Sequence, residues 1–197
     1  MEVAQGYKQT EIGTIPEDWD DPVLRDVAEK GAPICYGIVQ VGPYSVDGVQ
    51  VLAIKNLNTD YETDVHRAAP QRERAYGRSR VRPDDVLISV KGTIGRVGIV
   101  PSHFAGNISR DLARIRPREG IVPQFLFQML QSGLAQGRMA VACVGTTRLE
   151  LSIGILKTVR IPLPPTKTEQ EAIAEALSDA DTRTHLMVVC ASPHQRA

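Results

Sequence analysis

The sequence predicts an α/β fold of the α+β type, in which helices flank a curved and mostly antiparallel sheet. Short apolar runs alternate with turn residues between positions 35 and 100, which is the pattern of short strands. Two windows, 123–133 and 168–181, instead have the apolar spacing of helices. With 197 residues and no internal repeat, the chain is expected to build one domain around one core.

The predicted strands are short and bounded by turn signals. We expect strands over 37–41, 49–54, 86–90, 97–100 and 111–117. The turn residues between or before them are Gly42-Pro43, Asp47-Gly48 and Pro83-Asp84-Asp85. A further packed strand is expected over 149–156, and an edge strand or extended exit over 159–165.

The first predicted helix has recognisable ends. Pro123 suits its first turn, apolar residues follow at helical spacing, and Gly133 ends it. A shorter helix is expected over 134–141.

The second predicted helix begins after Thr168, which is a good cap and is followed by an acidic first turn. Its apolar residues form a seam at coiled-coil spacing, comprising Ile173, Ala176, Leu177 and Ala180. Residues 182–197 contain no acidic residue and no seam, so we expect an irregular tail there.

The composition, 42% apolar and 23% charged, is that of a soluble globular protein. The longest apolar runs fall far short of the roughly 20 residues of a membrane span, so no membrane association is expected. The first residues have neither a basic nor an apolar region typical of a signal peptide. Cys35, Cys143 and Cys190 are widely spaced and match no metal-binding pattern. A cytoplasmic protein with free thiols is predicted.

The net charge of zero conceals an asymmetry along the chain. Residues 1–30 carry a net charge of −5, residues 31–166 of +7, and residues 167–197 of −2. The middle therefore suits a polyanion. Within it, five arginines fall in eleven residues, opposed only by Glu73: Arg72, Arg74, Arg78, Arg80 and Arg82. Alone, such a run could equally be a solvated loop, but further arginines nearby favour nucleic-acid binding.

The segment 91–98 is expected to be a tight glycine loop between two strands. Gly92 and Gly95 permit positive φ and close approach of the backbone, and the loop presents Lys91 and Thr93. A phosphate or a base edge fits such a loop, whereas acid–base chemistry does not, because no group in it titrates near neutral pH. The glycine spacing is not that of a Walker or dinucleotide loop. An ordinary strand turn remains the alternative.

Four further groups are candidates for nucleic-acid contact. Glutamine can pair with adenine and tyrosine can stack or bind phosphate, which selects Tyr36, Gly37 and Gln40, although an ordinary strand start is nearly as good an explanation. The second group is Lys55 and Asn56, which could instead form a surface turn. The third is Arg72, Arg74, Arg78 and Arg80, which would contact phosphates and one or two guanines. The fourth and weakest is the loop with Thr146, Thr147 and Arg148.

No catalytic or metal-binding set is predicted. The histidines at 66, 103, 185 and 194 lack ligand spacing. Asp84 and Asp85 precede a strand, where a structural role in the turn is favoured over metal binding.

Six segments in order resemble the specificity subunit of type I restriction–modification systems. They are GYKQTEIGTIPEDW at 6–19, LRDV at 24–27, IKNL at 54–57, VRPDDVLIS at 81–89, KGTIGRVG at 91–98 and IPLPPTKTEQEAIA at 161–174. The resemblance covers about residues 6–181. It implies a target-recognition domain over 1–165, the start of a conserved spacer helix over 166–181, and the tail beyond.

The resemblance implies a non-catalytic subunit that recognises one half of a bipartite site in double-stranded DNA. It also implies docking to the modification (methyltransferase) subunits and to the restriction subunit, which would hold S-adenosylmethionine, ATP and Mg²⁺. The chain departs from the family pattern because it has a single recognition domain, as in a half-subunit or a truncated form. A weak homodimer is therefore a further expectation. The alternative is a degenerate module that binds a modification subunit without recognising DNA.

Overall fold

The computed structural model describes residues 4–143 and 149–191. The strands are β1 (Tyr7–Thr10), β2 (Gly13–Pro16), β3 (Cys35–Tyr36), β4 (Val49–Leu52), β5 (His66–Ala68), β6 (Val86–Ser89), β7 (Val97–Ile99), β8 (Asn107–Ile108) and β9 (Leu112–Ile115). The helices are α1 (Leu24–Val27), α2 (Pro70–Glu73), α3 (Pro123–Gln131), α4 (Gly133–Ala142), α5 (Ile153–Leu156) and α6 (Lys167–Ala191). Two 3-10 segments, Ile54–Asn56 and Arg74–Ser79, complete the described part.

The strands form three sheets. The largest is antiparallel, with the order β3-β9-β6-β7. In a second sheet, β5-β4-β8, β4 pairs antiparallel with β5 and parallel with β8. The hairpin of β1 and β2 is the third. The prediction of a mixed fold with mostly antiparallel strands is confirmed.

Strand β6 lies at the centre of the molecule and is buried on both faces. Val86 and Ile88 pack towards the helices, in a core that includes Leu24, Phe125 and Leu156. Leu87 points to the opposite face, where the core includes Leu52, Phe104, Ile108 and Leu112. This double burial explains why the strand reads as an uninterrupted apolar run.

Helix α6 is fastened to the domain at its first turns. The Gln170 side chain is buried; its Oε1 accepts a hydrogen bond from the Val122 amide, and its Nε2 donates to the carbonyls of Gly120 and Pro164. Trp19 Nε1 donates to Glu169 at 3.0 Å. Beyond Ala174, the side chains described on this helix are exposed.

Several predicted element bounds are corrected. The strand expected over 37–41 is replaced by the two-residue strand β3, because Gly37 and Ile38 leave the ladder to approach Ile108. The segment 149–156 ends in helix α5, which Ser152 caps by accepting from Ile155, rather than forming a strand. Of the two alternatives for residues 159–165, the structure has the extended exit rather than an edge strand, with isolated bridges at Arg160 and Leu163.

The irregular tail expected from residue 182 is also corrected, since α6 remains helical to Ala191. Residues 192–197 lie outside the described part. None of the helices within 4–143 and 149–191 is both long and apolar enough to cross a membrane.

Candidate nucleic-acid interface

The segment 36–40 connects three surface depressions whose linings include seven of the predicted DNA-contact residues. Tyr36 lines a large cleft, and Gln40 lines a groove beside Arg72. Between them, the Ile38 carbonyl accepts a hydrogen bond from the Arg110 amide at 3.0 Å. The Arg110 side chain lines a third depression together with Lys91 and Gly92. Because four extended residues span at most about 14 Å, the first two depressions lie close together.

The large cleft has a volume of about 720 Å³ and is strongly cationic. We call it the basic cleft; its charged lining residues are Arg78, Arg80, Arg82, Arg114, Arg116 and Lys157. No carboxylate is among its described lining residues. Tyr36, at its edge, is 39% exposed. The arrangement suits a phosphate group beside an aromatic ring.

The cations of the basic cleft differ in availability. Arg116 donates to both carboxylate oxygens of Asp85, each at 2.7 Å, and this pairing raises the pKa of Arg116. Asp85 also accepts from the Arg82 amide, so it has the structural turn role predicted for it. Arg114 is fully buried and donates to the Pro33 carbonyl.

Arg80 is likewise engaged. It donates to both carboxylate oxygens of buried Glu73, at 2.7 and 2.6 Å, and Asn107 donates to the same group. The hydrogen bonds from Arg80 hold the pKa of Glu73 below its ordinary value, against the effect of burial. By contrast, the exposed side chains of Arg78 and Arg82 make no hydrogen bond or ion pair with the described part of the chain.

The groove beside Gln40 is built around Arg72. Its Nη1 donates to the Gln40 carbonyl at 3.2 Å, and its guanidinium packs over Gly42, whose φ is +76°. Arg74 is exposed and makes no side-chain contact with charged or polar groups in the described residues. Arg72 thus supports the backbone of residues 40–42, whereas the Arg74 side chain is available to contact a phosphate.

The glycine loop divides into an open and a packed half. Gly92 has φ +73° and open space around it, and Lys91 forms an ion pair with Glu150 at 2.8 Å. Gly95, with φ +86°, faces α4, and its carbonyl accepts from Gln136 at 2.9 Å. Thr93 is exposed. Lys91, Gly92 and Thr93 are therefore accessible, whereas Gly95 serves packing within the protein.

Two other predicted residues have roles inside the protein, and a third, Lys55, is paired on the surface. A Cβ on Gly37 would overlap the backbone carbonyl of Ile108. Asn56 is 2% exposed and accepts from the Ala53 amide at 3.0 Å, which caps a 3-10 segment. Lys55 forms an ion pair with Asp64. Thr146 and Thr147 lie outside the described residues.

Arg82, Arg110 and Lys157 were not selected as site residues from the sequence, although the structure places them in these depressions. The excess positive charge of residues 31–166 was the available signal. It could not single them out, because they come together only through sheet pairing and the packing of α5. Within the described residues, no cluster of three or more metal-ligating side chains occurs.

A family model for the type I restriction modification DNA specificity domain matches residues 16–187. The chain belongs to this family. Among its relatives, the EcoBI specificity subunit of Escherichia coli is 34% identical over 163 residues, which are 81% of this chain and 34% of the relative. The MjaIX specificity subunit of Methanocaldococcus jannaschii is 26% identical over 178 residues, which cover 89% of this chain and 40% of the relative. The chain thus spans about a third to two fifths of these type I specificity subunits.

Solved structures from type I R-M systems share the fold. The HsdS subunit from Thermoanaerobacter tengcongensis superposes with a TM-score of 0.65 at 24% identity, over 97% of this chain and 44% of that one. A chain from a structural study of complex assembly and conformational transition in a type I R-M system superposes with a TM-score of 0.66 at 22% identity. The match covers 94% of this chain and 43% of that one. Both agree with the mixed α/β architecture of this type I specificity domain.

Proposed function

We propose that this chain recognises one half of a bipartite DNA site for a type I restriction–modification system. The observation that carries the proposal is the basic cleft. Among the residues that the structure describes, Arg78 and Arg82 have no side-chain partner and no carboxylate lines this cleft. Cations without an internal partner are available to neutralise phosphates and release counterions. Tyr36 at the same edge offers a ring for stacking or a hydroxyl for a phosphate.

In this proposal the two neighbouring depressions extend the contact along the duplex. Lys91 and Thr93 bind the backbone or a base edge, whereas the Gly92 amide already donates to the Leu149 carbonyl at 3.3 Å and only permits the turn. Gln40 faces the groove supported by Arg72, and Arg74 contributes a further phosphate contact. Arg80 and Arg116 maintain the shape of the cleft through their ion pairs with carboxylates. The phosphate contacts position the protein on the duplex, and a few side chains that reach the bases select the sequence.

The chain itself is proposed to be non-catalytic. The methyltransferase and restriction subunits would bind S-adenosylmethionine, ATP and Mg²⁺ and carry out the chemistry. Helix α6, whose side chains at 175–182 are exposed, is the element available for docking to them or to a second copy. Membership of the DNA specificity family supports this division of work.

Anisotropy titrations with labelled duplexes at several salt concentrations test the proposal. The wild-type chain should bind with a steep salt dependence. Replacing Arg78 and Arg82 together by alanine should lower the slope of log K against log salt by about 2, since each phosphate contact contributes about 0.9. Lys8→Ala is the matched control, because Lys8 lies on the β1–β2 hairpin outside the three depressions.

The outcome also separates the alternative function. If the purified chain binds a modification subunit but no DNA at low salt, it is an interaction module and the DNA proposal is wrong. An unchanged slope in the double variant, with the fold intact, would remove the basic cleft from the interface.

A further inference from the structure

A tight turn at residues 45–48 closes the connection between β3 and β4. The Gly48 amide donates to the Ser45 carbonyl at 2.9 Å, so Val46 and Asp47 occupy the two central positions. Gly48 is buried, and a Cβ there would lie 2.6 Å from the Ala68 carbonyl oxygen. The turn backbone therefore packs against β5 while the two central side chains are exposed.

The apolar side chains of this connection are unusually exposed. Val46 is 76% exposed, Tyr44 60% and Val39 40%. Turns favour glycine, asparagine, aspartate, serine and proline for conformational reasons, and a β-branched valine contributes nothing to turn formation. Apolar side chains grouped on one exposed connection indicate a surface that binds a partner.

The turn is also held rigidly. Arg67 Nη1 donates to the carbonyls of Val46 and Gly48, at 3.4 and 3.3 Å, and the Ser45 amide donates to the Arg67 carbonyl at 3.0 Å. The Tyr44 ring meets His66 edge-on, with the centroids 5.9 Å apart. A preorganised backbone loses little entropy on binding, which favours a recognition element over a loose linker.

The charges around the turn indicate which partner it fits. Arg67 lies against its carbonyls, and Arg72 lies across the Gln40 carbonyl earlier in the same connection. Asp47, in contrast, makes no hydrogen bond or ion pair with the residues that the structure describes. An unpaired carboxylate facing phosphates would be repelled. In the major groove, however, a carboxylate can accept a hydrogen bond from the amino group of cytosine.

We propose that the turn at 45–48 enters a DNA groove and that Val46 and Asp47 determine specificity there. Val46 packs against an apolar base edge, the methyl group of thymine, and Asp47 accepts from the exocyclic amino group of cytosine. Tyr44 flanks them. This inference rests on the proposed recognition of DNA and adds the element that distinguishes the bases.

Selection from randomised duplexes by the full chain, with its modification subunit present, tests the inference. Val46→Ser and Asp47→Asn should bind random-sequence DNA no more weakly than the wild type. Each should change the base preference at one or two adjacent positions. Loss of the Asp47 contact should reduce discrimination for cytosine about 5- to 150-fold. Asp18→Asn, also an exposed and unpaired aspartate in the described chain, should leave every preference unchanged.

Replacing thymine by uracil in the selected site removes only the methyl group. Wild-type affinity should fall about fourfold, the effect of one buried methyl group. The Val46→Ser variant should be insensitive to the same replacement. This comparison detects the contact without relying on the stability of the variant.

Three results would overturn the inference while leaving DNA recognition intact. They are unchanged base preferences in both variants, an equal loss of affinity for all sequences, and loss of modification-subunit binding with normal DNA selection. The last would identify the turn as a protein-docking surface. If the wild-type complex selects no sequence at all, the proposed function fails, and this inference fails with it.

Discussion

Arg80 and Glu73 form a two-point ion pair inside the arginine run that the sequence singles out, with N–O distances of 2.7 and 2.6 Å. The pair fixes α2 to the end of the following 3-10 segment, and Asn107 on β8 donates to the same carboxylate. The run is therefore not uniform, since one of its members is neutralised internally. Its neighbours Arg78 and Arg82 are left to face solvent.

Glu73→Gln should lower the free energy of unfolding at pH 7 by about 1–3 kcal/mol, because the buried network loses its negative charge and one of the two acceptor oxygens that Arg80 uses. The hydrogen bonds from Arg80 hold the folded-state pKa of Glu73 below the ordinary value of a glutamate. Its contribution is therefore complete above that value and is lost as the pH falls through the folded-state pKa. Urea denaturation from pH 7 to 3 should show a smaller acid loss for the variant.

Exposed Glu17 provides the control for this measurement, since Glu17→Gln should leave both the stability and its pH dependence close to wild type. An identical acid profile for wild type and Glu73→Gln would show that the pair does not contribute to stability.

Gly37→Ala and Gly92→Ala should behave differently, although both glycines occur in segments predicted to contact DNA. The Cβ on Gly37 meets the backbone of Ile108, which cannot move without breaking the sheet, so we expect a loss of at least about 3 kcal/mol. Gly92 has free space and only the strain of φ +73°, which costs about 1–2 kcal/mol. Thermal unfolding of the two variants gives the comparison, and equal losses would contradict it.

Lys91→Ala should weaken binding to all DNA sequences about equally and lower the salt slope by about 1. The ion pair with Glu150 adds a matched variant: Glu150→Gln frees the lysine and removes a negative charge, so it should strengthen binding. In the double variant, the gain expected from freeing Lys91 should disappear. Anisotropy titrations of the three proteins measure this coupling. A gain as large in the double variant as in Glu150→Gln alone would show that Lys91 does not touch DNA.

Gln170→Ala should detach the start of α6 from the domain. The change leaves the Val122 amide and two carbonyls without their partner in a buried site, and each such group costs about 1–3 kcal/mol. Hydrogen exchange should rise at residues 167–175 and at the first turn of α3. Exposed Gln124, replaced by alanine, is the control. Unchanged hydrogen exchange at these residues would show that Gln170 does not hold the start of α6 against the domain.

The central hairpin and the main helices could be predicted from sequence because their signals are local. The run at 86–90 and the proline at 123 each act within a few residues. The cap of α6 was placed two residues too late, since Thr166, not Thr168, accepts a hydrogen bond from the Glu169 amide at 3.2 Å and the helix begins at Lys167. Gly37 is different, because its close partner Ile108 is 71 positions away, and nothing near Gly37 distinguishes packing from ligand contact. The extent of α6 was underestimated because β-branched residues lower helix propensity by only a few tenths of a kcal/mol each.

The sequence indicated which residue types form the candidate site, but not which of their side chains are paired. The arginine run and the Lys91 loop were visible as positive charge and glycine spacing. Which arginines are paired depends on Asp85 and Glu73 side chains whose orientation follows from the fold. Asn56 looked like a surface residue, yet the 3-10 segment turns its amide inwards.

The isolated chain should bind DNA weakly and with little discrimination. Half of a bipartite site offers few base pairs, each worth about 1–3 kcal/mol, and this cannot overcome the excess of non-specific DNA. Two domains held at fixed spacing would add their discrimination, which requires a partner along α6. Its side chains beyond Ala174 include Leu177, 39% exposed, which a second helix could cover.

Sedimentation should therefore show a monomer or weak dimer, and specific binding should appear only with modification subunits. Leu177→Glu should abolish that gain while leaving the weak binding of the free chain unchanged. A tight dimer that binds a split palindrome at nanomolar concentration without partners would show instead that α6 is a sufficient interface.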